Sequence, residues 1–153
     1  MCIRDRPEPI GPLHGLPISV KEHLGTKGKN QQANGSYVAY VGEQHGSTLL
    51  LDILWDAGCV YFARTTQPQA IMHLETESNI YGRTVNPYNR NLTPGGSSGG
   101  EGALIGLRGS VLVSSIGFSF SLVAVLICFQ GLGGDIGGSI RVPAAHCGIY
   151  GFK

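Results

Sequence analysis

The chain has 153 residues, a net charge of +1, 14% charged side chains and 24 glycines, against roughly 25% charged residues and ~7% glycine in ordinary soluble domains. That near-neutral balance, with no run of Lys or Arg, excludes a polybasic nucleic-acid or membrane-surface binder and points to a small-molecule partner. The length suits one domain able to bury a core of its own.

Residues 1–6, Met-Cys-Ile-Arg-Asp-Arg, are not followed by an apolar stretch, so they form no secretory signal. They read as a non-native or disordered leader outside the fold, and the expected compartment is the cytoplasm. The four cysteines, Cys2, Cys59, Cys128 and Cys147, form no C-x-x-C pair and no zinc-finger spacing. Reduced thiols are expected, with no metal and no cofactor.

The apolar run 16–20, entered through Pro12 and Gly15, predicts a buried strand that delivers Lys21 at its end. Over residues 47–58, Leu50, Leu51, Leu54 and Ala57 recur at helical spacing, with Ser47 as the expected N-cap and Gly58 beyond the end. A second strand is expected over 59–63, and this alternation of strand and helix argues for an α/β sheet. No internal repeat is present. Residues 86–100 are punctuated by Pro87, Asn89, Pro94, Gly95 and Gly96, so a long ordered loop is expected there. Ser98 and Glu101 make an S-x-x-E capping box that starts a helix directly after it.

The stretch 131–139 reads Gly-Leu-Gly-Gly-Asp-Ile-Gly-Gly-Ser, with Pro143 placed to enter a first helical turn. Glycines in a loop ahead of a helix leave backbone N–H groups open to a close ligand, as an oxyanion hole or a phosphate cradle requires. The phosphate patterns fail, because the position needing a third glycine is Ile136 and no glycine precedes Lys-Ser or Lys-Thr. Residues 95–99 satisfy G-x-S-x-G, the nucleophile elbow of α/β-hydrolase esterases, but turn formers rather than a strand precede Gly95. None of His14, His23, His45, His73 and His146 lies in a motif that gives it a catalytic role, so each is expected to be structural or at the surface.

Gly95-Gly96-Ser97-Ser98-Gly99-Gly100-Glu101, followed by Gly134-Asp135-Ile136-Gly137-Gly138-Ser139-Ile140-Arg141-Val142-Pro143-Ala144, resembles the amidase signature. The likeness extends upstream through 11–22, which holds Lys21, and 81–88, and so covers most of the chain after Pro7. Glu101 and the Asp-Ile-Gly-Gly-Ser form are more similar to the acetamidase and fatty-acid-amide branches than to the glutaminase subunit of transfer-RNA amidotransferases.

The resemblance implies an amidase-signature α/β fold, a mixed β-sheet flanked by helices, and hydrolysis of carboxylic amides without metal or cofactor. It implies a Ser-Ser-Lys triad in which Ser139 attacks the carbonyl, Ser97, held by a cis peptide to Gly96, relays the proton, and Lys21 is the terminal base. It further implies an oxyanion hole of backbone N–H groups from Ile136, Gly137, Gly138 and Ser139. Ser98 is either a helix cap or a supporting hydrogen bond, while Asp135 and Arg141 organise the loops. The chemistry needs these parts, because a hydroxyl is a weak nucleophile until a neighbour takes its proton. A lysine can do so only when burial lowers its pKa from ~10.4 toward roughly 7 to 8.

Two features depart from the family pattern. Val113 to Gln130 is an uncharged insertion of eighteen residues between the two serine motifs, where the family runs almost directly from Leu112 to Gly131. It passes a crude ~20-residue test for a membrane span, yet a span there would separate Ser139 from Lys21. It reads as a retained intron, since Val113 fits a GT border, Gln130 a CAG border and the Phe-rich end a pyrimidine tract. The chain also ends at Lys153, where the family continues, so the C-terminal part of the fold is expected to be missing. The rival expectations are an inactive fragment, a segment associated with membranes through the insert, or an α/β-hydrolase esterase using Ser97 or Ser98.

Overall fold

The computed structural model describes residues 8–24, 48–110 and 132–153. In chain order these form β1 (Pro17–Lys21), α1 (Leu49–Asp56), β2 (Val60–Thr65), a 3-10 turn (Gln69–Ile71), β3 (Glu77–Ser78), β4 (Gly82–Arg83), α2 (Gly99–Gly106) and α3 (Arg141–Cys147). The elements expected at 16–20, 47–58, 59–63 and after Ser98 are all present, with ends moved by one or two residues. The insertion at 113–130, the leader 1–6, and Cys2, Cys128, His45 and Ser47 lie outside the described residues.

β1 and β2 pair in parallel, with Pro17 opposite Val60 and Lys21 opposite Thr65, and a register shift between Ile18 and Ser19. Leu132 makes a parallel bridge to Val20, and the Lys21 N–H donates to the Leu132 carbonyl at 3.0 Å. The Glu22 N–H donates to Thr65 on β2 instead, so β1 lies between β2 and Leu132. β3 and β4 form a separate antiparallel pair. Parallel and antiparallel pairing therefore both occur among the described residues, in two small sheets.

Alternate side chains of a strand point to opposite faces, and β1 uses the two faces differently. Ile18 and Val20 pack with Leu51 of α1, Cys59 and Leu132 into the buried core cluster, flanked by Leu16, Leu50, Leu54 and Tyr61. Each such aliphatic side chain contributes about 1.5–3 kcal/mol through burial. Ser19 and Lys21 occupy the opposite face, beneath α2, and both are fully buried.

α2 reads Gly-Gly-Glu-Gly-Ala-Leu-Ile-Gly, a sequence with weak intrinsic helix propensity. Close packing compensates. A side chain at Gly102 would come within 2.9 Å of the Pro143 side chain on α3, and one at Gly100 within 2.5 Å of the Thr66 backbone nitrogen. The glycines thus set α2 directly against α3 and the end of β2. Pro143 lies in the first turn of α3, and Gly148 ends that helix in the left-handed region at φ 63°.

Two expected caps differ. The N-cap of α1 is Thr48, with no side-chain capping bond. At α2, Ser98 is the N-cap residue but its hydroxyl makes no capping bond, and the capping box does not form. Glu101 turns toward the sheet, where the buried Ser19 and Thr65 hydroxyls donate to it.

Candidate functional site

β1 ends at Lys21, whose side chain is fully buried. Its Nζ donates to Ser97 Oγ at 2.6 Å. Ser97 is also fully buried and follows a cis peptide from Gly96. The turn that presents it is fixed from both sides: Thr76 Oγ1 donates to the Gly95 carbonyl at 2.9 Å and accepts from the Gly99 N–H at 3.1 Å. Burial lowers the Lys21 pKa to about 8, against the opposing pull of the Glu101 and Asp135 carboxylates.

Glu101 stands beside this pair. Ser19 Oγ donates to one carboxylate oxygen at 2.8 Å and Thr65 Oγ1 to the other at 2.5 Å. Burial pushes its pKa up to about 7, while those two hydrogen bonds and the Lys21 charge pull it down. His23, just past β1, is paired with Gln67 at 3.0 Å. Burial, then the nearby Lys21, push the imidazole down to about 4, so it is neutral at physiological pH.

Ser139 closes the glycine-rich loop. The Ser98 N–H donates to its carbonyl at 3.1 Å, which joins the two serine motifs through the backbone. Among the described residues the Ser139 hydroxyl makes no hydrogen bond with Ser97, and Ser139 is half-buried where Ser97 is fully enclosed. Lys21 and Ser97 therefore form a bonded pair, with Ser139 set alongside.

Asp135 organises the loop. Its carboxylate accepts from the N–H groups of Gly138 at 2.7 Å, Ile140 at 3.0 Å and Arg141 at 3.2 Å. It also receives two bonds from the Arg141 guanidinium, each 3.0 Å. Arg141 first, then the backbone donors, hold this carboxyl well below the usual carboxylate range. The Gly138 N–H, expected as an oxyanion donor, is bonded to Asp135. Ile136, 93% exposed, and Gly137 face outward.

Among the described residues the Ser98 hydroxyl is buried without a hydrogen-bond partner and lies against Gly133. Sequence reasoning missed the carboxylate of Glu101 and the hydroxyls of Ser19 and Thr65. The available signal was Ser19 itself, a polar residue on the same strand face as Lys21. Among the described residues no three His, Cys, Asp or Glu side chains converge as a metal site would require, and no helix is long and apolar enough to cross a membrane.

The family model described as Amidase matches residues 3–117 and 113–153. A Schizosaccharomyces pombe protein named as an amidase is 50% identical over 147 residues, covering 94% of this chain and 24% of its own length. The acetamidase of Emericella nidulans is 44% identical over 146 residues, covering 95% and 23%. The solved structure of a fatty acid amide hydrolase superposes with a TM-score of 0.70 at 38% identity, over 93% of this chain and 22% of that one. The chain thus spans about a quarter of the length of the relatives it matches.

Proposed function

The chain belongs to the amidase family, and from that premise we propose that its site is the nucleophile-activating centre of a hydrolase of linear, non-peptide amides. Ser139 Oγ attacks the carbonyl carbon and passes its proton to Ser97 Oγ, whose own proton goes to the neutral amine of Lys21. The carbonyl π pair moves to oxygen, where the N–H groups of Ile136, Gly137 and Ser139 receive it; Gly138 serves as the turn that aims them. The proton returns from Lys21 through Ser97 to the leaving nitrogen, the C–N bond breaks, and acyl-Ser139 remains. Water then attacks the acyl group by the same relay, releasing acid and restoring the three side chains. Substrates of the acetamidase or fatty-acid-amide kind follow from the relatives' names.

The 2.6 Å bond between a buried Lys21 and a buried Ser97 carries this reading. A base whose pKa is lowered to about 8 is neutral often enough near neutral pH to take a proton, and general-base help of this type is worth ~10² to 10⁴ in rate. The test is covalent labelling by an alkyl fluorophosphonate, in the longest form of the protein the cell makes. Ser139 should be the labelled residue and Lys21→Ala should slow it about 10³-fold; undiminished labelling in Ser139→Ala refutes the assignment. An essential histidine with indifference to Lys21→Ala would instead favour an esterase of the α/β-hydrolase kind. Against that rival, the chain between β4 and α2 has no strand to precede Gly95.

The amidase domain is residues 7–153, interrupted by a retained intron at 113–130. Two observations support the interruption: the family match comes in two pieces, 3–117 and 113–153, that overlap where the insertion begins, and the flanks of the insertion reach neighbouring positions of one strand. Ser110 is within 3.3 Å of Ser19, and Leu132 bridges Val20. Sequencing the spliced transcript should join Leu112 to Gly131; a mature transcript that retains the segment contradicts the proposal.

A further inference from the structure

We infer that Glu101 is a positioning residue for Lys21: through Ser19 and Thr65 it ties α2 to both strands at the Lys21 end, and it is the buried anion that the lysine faces. This rests on the reading of Lys21 as the base. Ser19 is two residues before Lys21 on β1, and Thr65 is opposite Lys21 on β2. The carboxylate accepts from both hydroxyls, so the strand end that carries the lysine is fixed to the helix that follows Ser97.

Among the described residues three ionisable groups couple electrostatically to Lys21: Glu101 from α2, Asp135 from the glycine-rich loop, and His23 just past β1; the adjacent Glu22 carboxylate accepts instead from the Tyr81 hydroxyl. His23 is neutral at physiological pH, and Asp135 is compensated by Arg141 and three backbone N–H groups. Among the described residues Glu101 receives only neutral hydroxyl donors, so its charge is the less compensated of the two anions. An opposite charge favours the protonated lysine and burial disfavours it. Glu101 therefore keeps Lys21 from falling further below its ordinary pKa, so that the amine, once protonated, holds its proton until the leaving group takes it.

The experiment is the pH profile of fluorophosphonate labelling of Ser139 in the longest natural form, comparing wild type with Glu101→Gln, Glu101→Asp and Lys21→Ala. Glu101→Gln should move the acid limb down by about one unit, whereas Glu101→Asp, which keeps the charge, should hold it near the wild-type position at a lower plateau. A carboxylate with a structural role alone would lower the plateau and leave the Glu101→Gln midpoint unmoved, which overturns the inference. Should Glu101→Gln fail to fold, Thr65→Val removes one donor, makes Glu101 less anionic and should shift the limb the same way by less; an unshifted limb there overturns it too. Lys21→Ala separates the two claims. A lost limb in that variant with an unmoved one in Glu101→Gln defeats only the inference, while a wild-type limb in Lys21→Ala defeats the underlying assignment as well.

Discussion

The two faces of β1 are built from five consecutive residues and serve opposite ends. Ile18 and Val20 point into the apolar cluster with Leu51 of α1 and Leu132. Ser19 and Lys21 point into an equally dry space filled with polar groups: Glu101, Thr65, Ser97 and Ser110. On the first face dryness stabilises the fold directly. On the second it costs free energy, because desolvation disfavours a charged amine and a charged carboxylate. The same desolvation lowers the Lys21 pKa to about 8, as the proposed role of a base requires, so the apolar face sustains a polar face that is individually unfavourable.

Breaking the polar face should have the largest effect on chemistry. Lys21→Ala is expected to reduce Ser139 labelling about 10³-fold, equivalent to about 4 kcal/mol in the barrier, as read from labelling rates. The same charge should appear in stability. The folded pKa of Lys21, about 8, lies below its ordinary 10.5, so the folded protein binds fewer protons between those values. Stability should therefore rise with pH through that window, by as much as about 3 kcal/mol. Above 10.5 the penalty is gone, and below 8 it is fully present. Denaturant titrations at several pH values should show this slope in the wild type and lose it in Lys21→Met.

Breaking the apolar face should do the reverse. Leu51→Ala is expected to cost about 3 kcal/mol of stability through lost burial and a residual cavity, with the labelling midpoint unmoved in the fraction that stays folded. A shifted midpoint would show that the two faces are not separable. Asp135→Asn removes the charge-assisted bonds that fold the glycine-rich loop, at about 2 kcal/mol, and should slow labelling through misplaced N–H groups; because the Asp135 charge also holds the Lys21 pKa up, the acid limb should move down as well. The smallest effect is expected of Ser98→Ala. Among the described residues its buried hydroxyl has no partner, so stability should stay level or rise by about 1 kcal/mol; a marked loss of labelling at unchanged stability would reveal a bond that forms only in the reacting complex.

The apolar face was readable in the sequence, because burial leaves a local pattern. The run at 16–20, the helical spacing of Leu50, Leu51 and Leu54, and the strand after Gly58 all signal a core by repetition alone. The polar face was less readable. Lys21 and Ser97 are 76 positions apart and Ser19 and Glu101 are 82 apart, and no periodicity links them; only the resemblance of the two serine motifs brought Lys21, Ser97 and Ser139 together. Glu101 illustrates the limit. Its spacing from Ser98 fits a capping box, but the pattern cannot report that two buried hydroxyls across the sheet need an acceptor, and satisfying them outweighs capping an N–H at the helix start. The bond from the Gly138 N–H to Asp135 was unread for a more local reason: Asp135, three residues earlier, is well placed to accept that N–H, as Asp side chains commonly do in turns.

The central claim is that Lys21 is buried, bonded to Ser97 and poised to lose its proton near neutrality. Following the side-chain carbon resonances of Lys21 by NMR as pH is raised, in protein with labelled lysine and with Lys21→Ala to assign the signal, tests it most directly. A titration midpoint near 8 is the predicted result. A midpoint at the ordinary lysine value of about 10.5 would leave the amine charged throughout the working range and contradict the proposed role as the base.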